Sequence, residues 1–278
     1  MKKIGILYHP LNELACGFGK ELDTFLQSKG VSAWLCSAWE MEKGKSLLNG
    51  TELILSVGGD GTILRAAQVA LKAQIPITGI NCGNLGFMTE FRADEAKDGI
   101  ASLLDGKGWL DERAMLEAEL HLENQPPRTF HALNDVVVAR GAIARLVSID
   151  ISIDKQPYTT YRADGVIVST ATGSTGYSLA AGGPILYPRL KNILLTPISP
   201  HLTQPGSLVM PPDTVIQMLL RTPLMATLSV DGHINLPLEN GASLTVKRSS
   251  NVTRFFRLSP PAFLYGSLEQ RLKGKLQR

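Results

Sequence analysis

Over the first 112 residues, short apolar runs alternate with helical patterns, and that alternation narrows the fold more than any other feature of the chain. IGILYH (4–9), VSAWLC (31–36), LILSVGG (53–59) and PITGIN (76–81) have the length and composition of strands. FGKELDTFLQSKG (18–30), TILRAAQVALKAQ (62–74) and ADEAKDGIASLLDGK (93–107) space their apolar residues as an amphipathic helix does. Strand–helix alternation of this kind predicts a parallel sheet covered by helices. Ligands of such sheets sit beyond the carboxyl ends of the strands, which is where Gly58-Gly59-Asp60-Gly61-Thr62 falls.

From about Ala114 the texture changes. MLEAELHLE (115–123), HALNDVVVAR (131–140), RLVSIDISID (145–154), YTTYRADGVIVSTA (158–171), TVIQMLLR (214–221), MATLSVDGHINL (225–236) and SLTVKRS (243–249) alternate apolar with polar residues or are rich in Val, Ile and Thr. Turn residues such as ENQPP, DKQP and ENG separate them. The expected fold is therefore α/β: an N-terminal parallel α/β domain, sandwich-like, over residues 1–112, and a C-terminal β-rich domain over 113–255. The tail, 256–278, ends in a short helical pattern expected to pack back on the first domain.

Composition removes several function classes. A chain of 278 residues, 44% hydrophobic and 19% charged, is globular rather than disordered. Its 28 basic residues nearly balance 25 acidic ones, which gives no ground for a nucleic-acid or membrane-surface partner. Cys16, Cys36 and Cys82 are odd in number and follow no motif, against a disulfide framework or a zinc site. The apolar run near the N-terminus is too short for a signal-peptide core, and no stretch is long and apolar enough to span a bilayer. A cytoplasmic protein is expected. Histidines 9, 121, 131, 201 and 233 lack metal-ligand spacing, so no protein metal site is expected, and no G-x-S-x-G elbow supports a hydrolase.

The glycine loop carries the strongest chemical signal. Glycines after a buried strand let backbone amides approach a ligand, and a helix N-terminus just behind them favours an anion, typically phosphate. The loop is neither G-x-G-x-x-G nor the P-loop, which needs a lysine after its last glycine. Its distinctive residue is Asp60. Beside bound phosphates a carboxylate is repelled unless a divalent cation intervenes or it faces the acceptor hydroxyl. Two readings stand: a general base in phosphoryl transfer, or a plain helix cap.

Other stretches add polar groups. GINCGNLGFMTE (79–90) is either an irregular turn or a second wall for phosphates. Asn134 and Asp135 precede a run of valines, as turn formers or as a pair that binds a carboxamide or a ribose diol. Residues 161–184 hold Arg162, Asp164, Thr170, Thr172, Ser174, Thr175, Tyr177 and Ser178 among glycines, a composition suited to a sugar and a stacked base. Asp231-Gly232 reads as a hairpin turn.

Taken together, GGDGT, GINCGNLGFM, LNDVVV, TGSTGYS, GGP and the Asp-Gly turn, in that order, resemble the NAD kinases, which phosphorylate the 2′-hydroxyl on the adenosine ribose of NAD. The resemblance implies that Asp60 orients and deprotonates that hydroxyl, with Gly58, Gly59, Gly61 and Thr62 forming the phosphate loop and Arg65 within reach of substrate. It implies that Asn134 and Asp135 hold the nicotinamide-side ribose and amide, and that Arg145, Arg162 and Asp164 contact phosphate or substrate. Thr175, Gly176, Tyr177, Ser178, Leu179 and Ala180 would line the adenine and ribose pocket, and His233 stands where the family often has glutamine. ATP with Mg²⁺ as donor, NAD as acceptor and a homo-oligomer, dimer or tetramer, are implied in the same way. The chain departs from the pattern at TATG in place of TPTG, at Gly176 for alanine and at Ala180 for serine. GGDGT alone is shared with lipid kinases of the diacylglycerol and sphingosine type, and a non-catalytic NAD(P)-binding regulator is the third reading.

Overall fold

The computed structural model describes residues 1–83, 86–141, 145–201, 206–223 and 225–261. It divides into two compact units, one of Met1–Glu112 with the residues from Thr253 onward, the other of Arg113–Val252. Residues 262–278 of the tail expected to pack back lie outside the described residues, as do Asn84 and Leu85 of the second glycine-rich stretch.

The first unit is wound in chain order as β1 (Lys3–Tyr8), α1 (Glu13–Ser28), β2 (Ser32–Ser37), α2 (Met41–Ser46), β3 (Leu53–Gly58), α3 (Asp60–Ala70), β4 (Ile77–Asn81), β5 (Phe91–Arg92) and α4 (Ala96–Leu104). Its strands pair in parallel in the order β2-β1-β3-β4, so the winding reverses direction between β1 and β3. That reversal opens a crevice at the carboxyl ends of β1 and β3, where His9 and the glycine loop begin. α1 starts earlier than its apolar spacing suggests because Asn12 caps it, accepting from the Ala15 N–H at 3.0 Å. Ile4, Ile6, Leu53, Leu55 and Val57 form its core with Leu22 and Leu26 of α1 and Ile100 and Leu103 of α4, and Phe256 and Leu258 pack on that cluster.

The second unit continues with β6 (Trp109–His121), β7 (Arg128–Ala132), β8 (Asp135–Arg140), β9 (Val147–Ile153), β10 (Gln156–Ala163) and β11 (Gly165–Ser169). A 3₁₀ turn, Gly173–Thr175, and the short helix α5 (Tyr177–Ala180) follow. Then come β12 (Ile193–Ile198), β13 (Leu208–Met210), β14 (Ile216–Leu220), β15 (Ala226–Val230), β16 (Ile234–Leu238) and β17 (Ser243–Arg257). The unit boundaries fall inside β6 and β17.

An antiparallel sheet in the order β13-β12-β11-β8-β15-β16 contributes Val136, Val138, Val166, Val168, Leu228 and Val230 to the second unit's core. Ile149, Ile151, Ile216, Met218, Leu244 and Val246 of β9, β14 and β17 join the same cluster. On their other face Val137 and Ile167 are buried with Ile198. β8 and β11 are thus covered on both sides, which is why both read as unbroken apolar runs. β12 is not evident from sequence because Pro197 interrupts it. The proline is tolerated because, among the described residues, β13 pairs with residues 193–195 and position 197 has no ladder partner on that side. Among the described residues no helix is long and apolar enough to cross a membrane.

Candidate functional site

In the first unit the site is built where β3 turns into α3. Gly58 has φ +153°, and a Cβ there would lie 2.3 Å from Thr62 Oγ1, so only glycine permits the chain to leave the strand in this direction. Gly59 is the N-cap of α3 and Asp60 its first residue. The helix-cap reading of Asp60 is thereby corrected, because its side chain turns away from its own helix. Oδ2 accepts from the Phe87 N–H at 2.8 Å and Oδ1 from the Met88 N–H at 3.1 Å. Gly86 makes this approach possible, since a Cβ on it would stand 2.2 Å from Asp60 Oδ1. The second glycine-rich stretch is therefore the holder of the carboxylate.

Around Asp60 the loop is left with capacity for a ligand. Apart from the adjoining residues and the helix's own backbone, no described atom lies within 4 Å of a Cβ built on Gly59 or Gly61, and Gly61 is exposed. Thr62 Oγ1 and Asn81 Nδ2 are buried with no hydrogen-bond partner among the described residues. Asn81 pairs in register with Gly58 across β4 and β3, so both flank the loop. Unsatisfied buried donors at a helix N-terminus suit an anion that accepts from them. Arg65 is drawn to Trp39, with its guanidinium carbon 4.2 Å from the ring centroid, and His9 meets the same ring edge-on at 4.6 Å. Burial lowers the pKa of Arg65, but an arginine remains cationic.

In the second unit the organising residue is one that sequence spacing presents only as a turn. Asp231 opens the β15–β16 hairpin with φ +49°. Its carboxylate accepts from the N–H groups of Leu133, Asn134 and Asp135 at 2.8, 2.7 and 3.1 Å, while its own N–H donates to the Asp135 carbonyl at 3.0 Å. The break between β7 and β8 is fixed by this clamp. Nothing local could have disclosed it, since the partners are 96 to 98 residues apart. Asn134 Oδ1 is buried with no partner among the described residues, an acceptor available to a ligand amide or hydroxyl.

Burial, and secondarily the Asp231 carboxylate, push Asp135 up from 3.8 to about 7. The folded chain therefore holds a proton there between pH 4 and 7 that the unfolded chain releases, and unliganded stability falls as pH rises through that window. Asp135→Asn is expected to flatten this slope, removing up to ~4 kcal/mol of pH-dependent change. Urea titrations of both proteins at pH 5 and 8 check it; equal slopes would contradict the assignment.

The polar segment after β11 proves to be largely self-satisfied. Thr170 Oγ1 donates to the Leu133 carbonyl at 2.6 Å and accepts from the Gly173 N–H at 3.0 Å. Ser174 and Thr175 hydroxyls donate to carbonyls of Ala171 and Thr172, and Ser178 bonds Thr196 at 2.9 Å. These hydroxyls are thus already engaged within the fold. Tyr177 is 47% exposed, Leu179 is half-buried and Ala180 exposed. Gly176 closes on the clamped pair: a Cβ there would be 3.6 Å from Asn134 Nδ2 and 3.7 Å from Asp135 Oδ2. The same Cβ would stand 3.1 Å from the Gly173 carbonyl oxygen, so the alanine usual at this position would require that turn to give by a few tenths of an ångström. Arg113, buried at 6% exposure and silent in the sequence, donates to Thr172 Oγ1 at 3.4 Å.

Of the other expected site residues, Asp164 lies away from the clamp and His233 beside it. Asp164 pairs with Arg140 at 2.7 Å, at the opposite end of β8 and β11 from Asp135. The register Gly165↔Ala139 and Ser169↔Asp135 puts these ends about 13 Å apart. Arg162 and Arg145 are exposed, and His233 Nδ1 rests 3.2 Å from the Asp231 carbonyl oxygen. Among the described residues no group of three or more His, Cys, Asp or Glu could hold a metal ion.

Comparison with known proteins agrees over the whole length. The chain is 49% identical over 274 residues to an NAD kinase of Dehalococcoides mccartyi (strain CBDB1), covering 98% of this chain and 96% of that one. It is 40% identical over 273 residues to an NAD kinase of Chloroflexus aurantiacus (strain ATCC 29366), covering 98% and 99%. The crystal structure of yeast NADH kinase complexed with NADH superposes with a TM-score of 0.89 at 26% identity, covering 98% of this chain and 88% of that one. The fold is also that of an Archaeoglobus fulgidus NAD kinase crystallised with ATP, at a TM-score of 0.79 and 24% identity, covering 99% of each chain. Residues 4–107 match the ATP-NAD kinase N-terminal domain and residues 133–258 the ATP-NAD kinase C-terminal domain, and the chain belongs to the NAD kinase family.

Proposed function

We propose that this protein transfers the γ-phosphate of ATP to the 2′-hydroxyl on the adenosine ribose of NAD, giving NADP and ADP. The observation that carries the reading is Asp60. It is a carboxylate at the mouth of an anion-binding glycine loop, held away from its own helix by two backbone amides. Held so, it orients the acceptor hydroxyl and takes its proton as the oxygen bonds to phosphorus and the bond to ADP breaks. The loop amides and Thr62 cradle the phosphates. Asn134 and Asp135 bind the nicotinamide side of the dinucleotide: Asn134 Oδ1 is an acceptor without a partner among the described residues, and a protonated Asp135 can donate. The Tyr177–Ala180 helix supplies the exposed face for the adenine and ribose.

Mg²⁺ accompanies the triphosphate and neutralises its charge. A cation carried by phosphates needs only one or two protein carboxylates, which fits a loop whose acid is Asp60. We further place the enzyme in the cytoplasm, as a homo-oligomer supplying NADP. The lipid-kinase reading rested on GGDGT alone, and both halves of the chain match NAD kinase domains.

Incubating the purified protein with ATP, Mg²⁺ and NAD is expected to give NADP, read by a dehydrogenase that requires it. Phosphorylation of diacylglycerol or sphingosine in its place, or NAD binding without turnover, would overturn the proposal.

A further inference from the structure

We infer that Arg257 is a positioning residue for Asp60, acting through the backbone of Met88; this rests on the role proposed for Asp60. Every group involved belongs to the first unit. Arg257 is 8% exposed, and its Nε donates to Asp111 Oδ2 at 2.8 Å while Nη1 donates to Glu90 Oε2 at 3.0 Å. Nη1 also reaches the Met88 carbonyl at 3.4 Å, and the guanidinium carbon lies 4.8 Å from the Phe255 ring centroid. Met88 is therefore tied at both ends, its carbonyl to Arg257 and its N–H to Asp60 Oδ1.

Glu90 closes the arrangement from the other side. Its Oε1 accepts from the N–H groups of Leu258 and Ser259 at 2.9 and 2.7 Å, and its own N–H donates to the Gly79 carbonyl at 2.8 Å. Two carboxylates of 1% and 4% side-chain exposure around one buried guanidinium are costly to desolvate, and a hydrophobic filling of equal volume is often as stable. What the ions provide is direction. A planar guanidinium held by Asp111 and Glu90 has one orientation, and that orientation fixes the stretch from Gly86 to Glu90. With no regular structure of its own between Gly86 and Glu90, the stretch takes its position from these bonds. Its Phe87 and Met88 amides aim the carboxylate.

Arg257→Lys keeps the charge and loses the fork. The expected result is a fall in kcat for NADP formation on the order of 10- to 100-fold. KM for NAD should stay within about twofold, because the residues proposed to bind the dinucleotide lie on other elements. Amide hydrogen exchange across residues 86–90 should accelerate in the same variant. Glu90→Gln, a milder change that leaves an acceptor in place, should show the same pattern to a smaller degree, which covers the case in which Arg257→Lys does not fold. Unchanged kcat in a folded variant overturns the inference, and so does a lower melting temperature with exchange at 86–90 unaltered. If the wild-type protein forms no NADP, the functional reading fails, and the exchange measurement still decides whether Arg257 holds the stretch that aims Asp60.

Discussion

Asp60→Asn is expected to lower kcat for NADP formation by roughly a thousandfold, the range lost when a positioned base is removed. The substitution is nearly isosteric, so its effect must come from charge and hydrogen bonding. Asp60 offers one oxygen to Phe87 N–H and the other to Met88 N–H. An asparagine has a single oxygen, and its amino group would confront one of those donors. The side chain must then swing or leave an amide unsatisfied, and either outcome misdirects what remains. Asp60→Ala removes both acceptors and should be equally inactive. The melting temperature should fall as those amides lose their acceptors, while equilibrium binding of NAD should change little, since Asn134, Asp135 and Tyr177, proposed to bind it, belong to the Arg113–Val252 unit. Stopped assays at saturating ATP, with calorimetric NAD titration, decide the matter. Near-wild-type turnover in either variant would end the assignment of Asp60 as base.

The largest loss of stability is expected from Asp231→Ala, about 3–5 kcal/mol, because three N–H groups lose their acceptor at once. Part of that loss is offset by relief of the repulsion that raises Asp135. Alanine also fits poorly at φ +49°, a conformation that Asp and Asn tolerate better. Asp231→Asn should accordingly be milder: it keeps one acceptor, suits the backbone and lets Asp135 titrate nearer its ordinary value. Both variants should raise KM for NAD, since the clamp sets where Asn134 and Asp135 point. Urea unfolding at pH 7 gives the stability, and initial rates against NAD give the KM. A change below about 1 kcal/mol for Asp231→Ala would mean that the amides find other partners.

The sequence made the first unit legible because its signals are local. A 3.6-residue period, a strand-length apolar run and a glycine cluster at a strand's end each speak for themselves, and the glycine loop could be placed from them. What Asp60 touches was not legible: Phe87 and Met88 are 27 and 28 residues away, joined to it only by the return of the chain after β4. Asp231 is the stronger instance. Asp-Gly between strands is a sound hairpin signal, and the hairpin exists, but the carboxylate serves another strand altogether. The hydroxyls between Thr170 and Ser178 have structural partners that the sequence did not disclose. Composition counts them as ligand groups, yet Thr170, Ser174 and Thr175 also close backbone bonds of their own segment and Ser178 bonds Thr196. Arg257 carried no signal because a lone arginine in a β-rich tail is usually solvated, and only the carboxylates at positions 90 and 111 make it otherwise.

Asn134 and Asp135 head β8, whose first four residues are buried and whose valines pack on both faces. Binding residues often sit on segments that open easily and must be ordered when the ligand arrives. Here the pair is fixed by the folding of the core, with Asp231 locking its amides, so the conformational entropy of ordering it is lost at folding and not at ligand capture. The dinucleotide contact proposed for Asn134 and Asp135 is therefore preorganised.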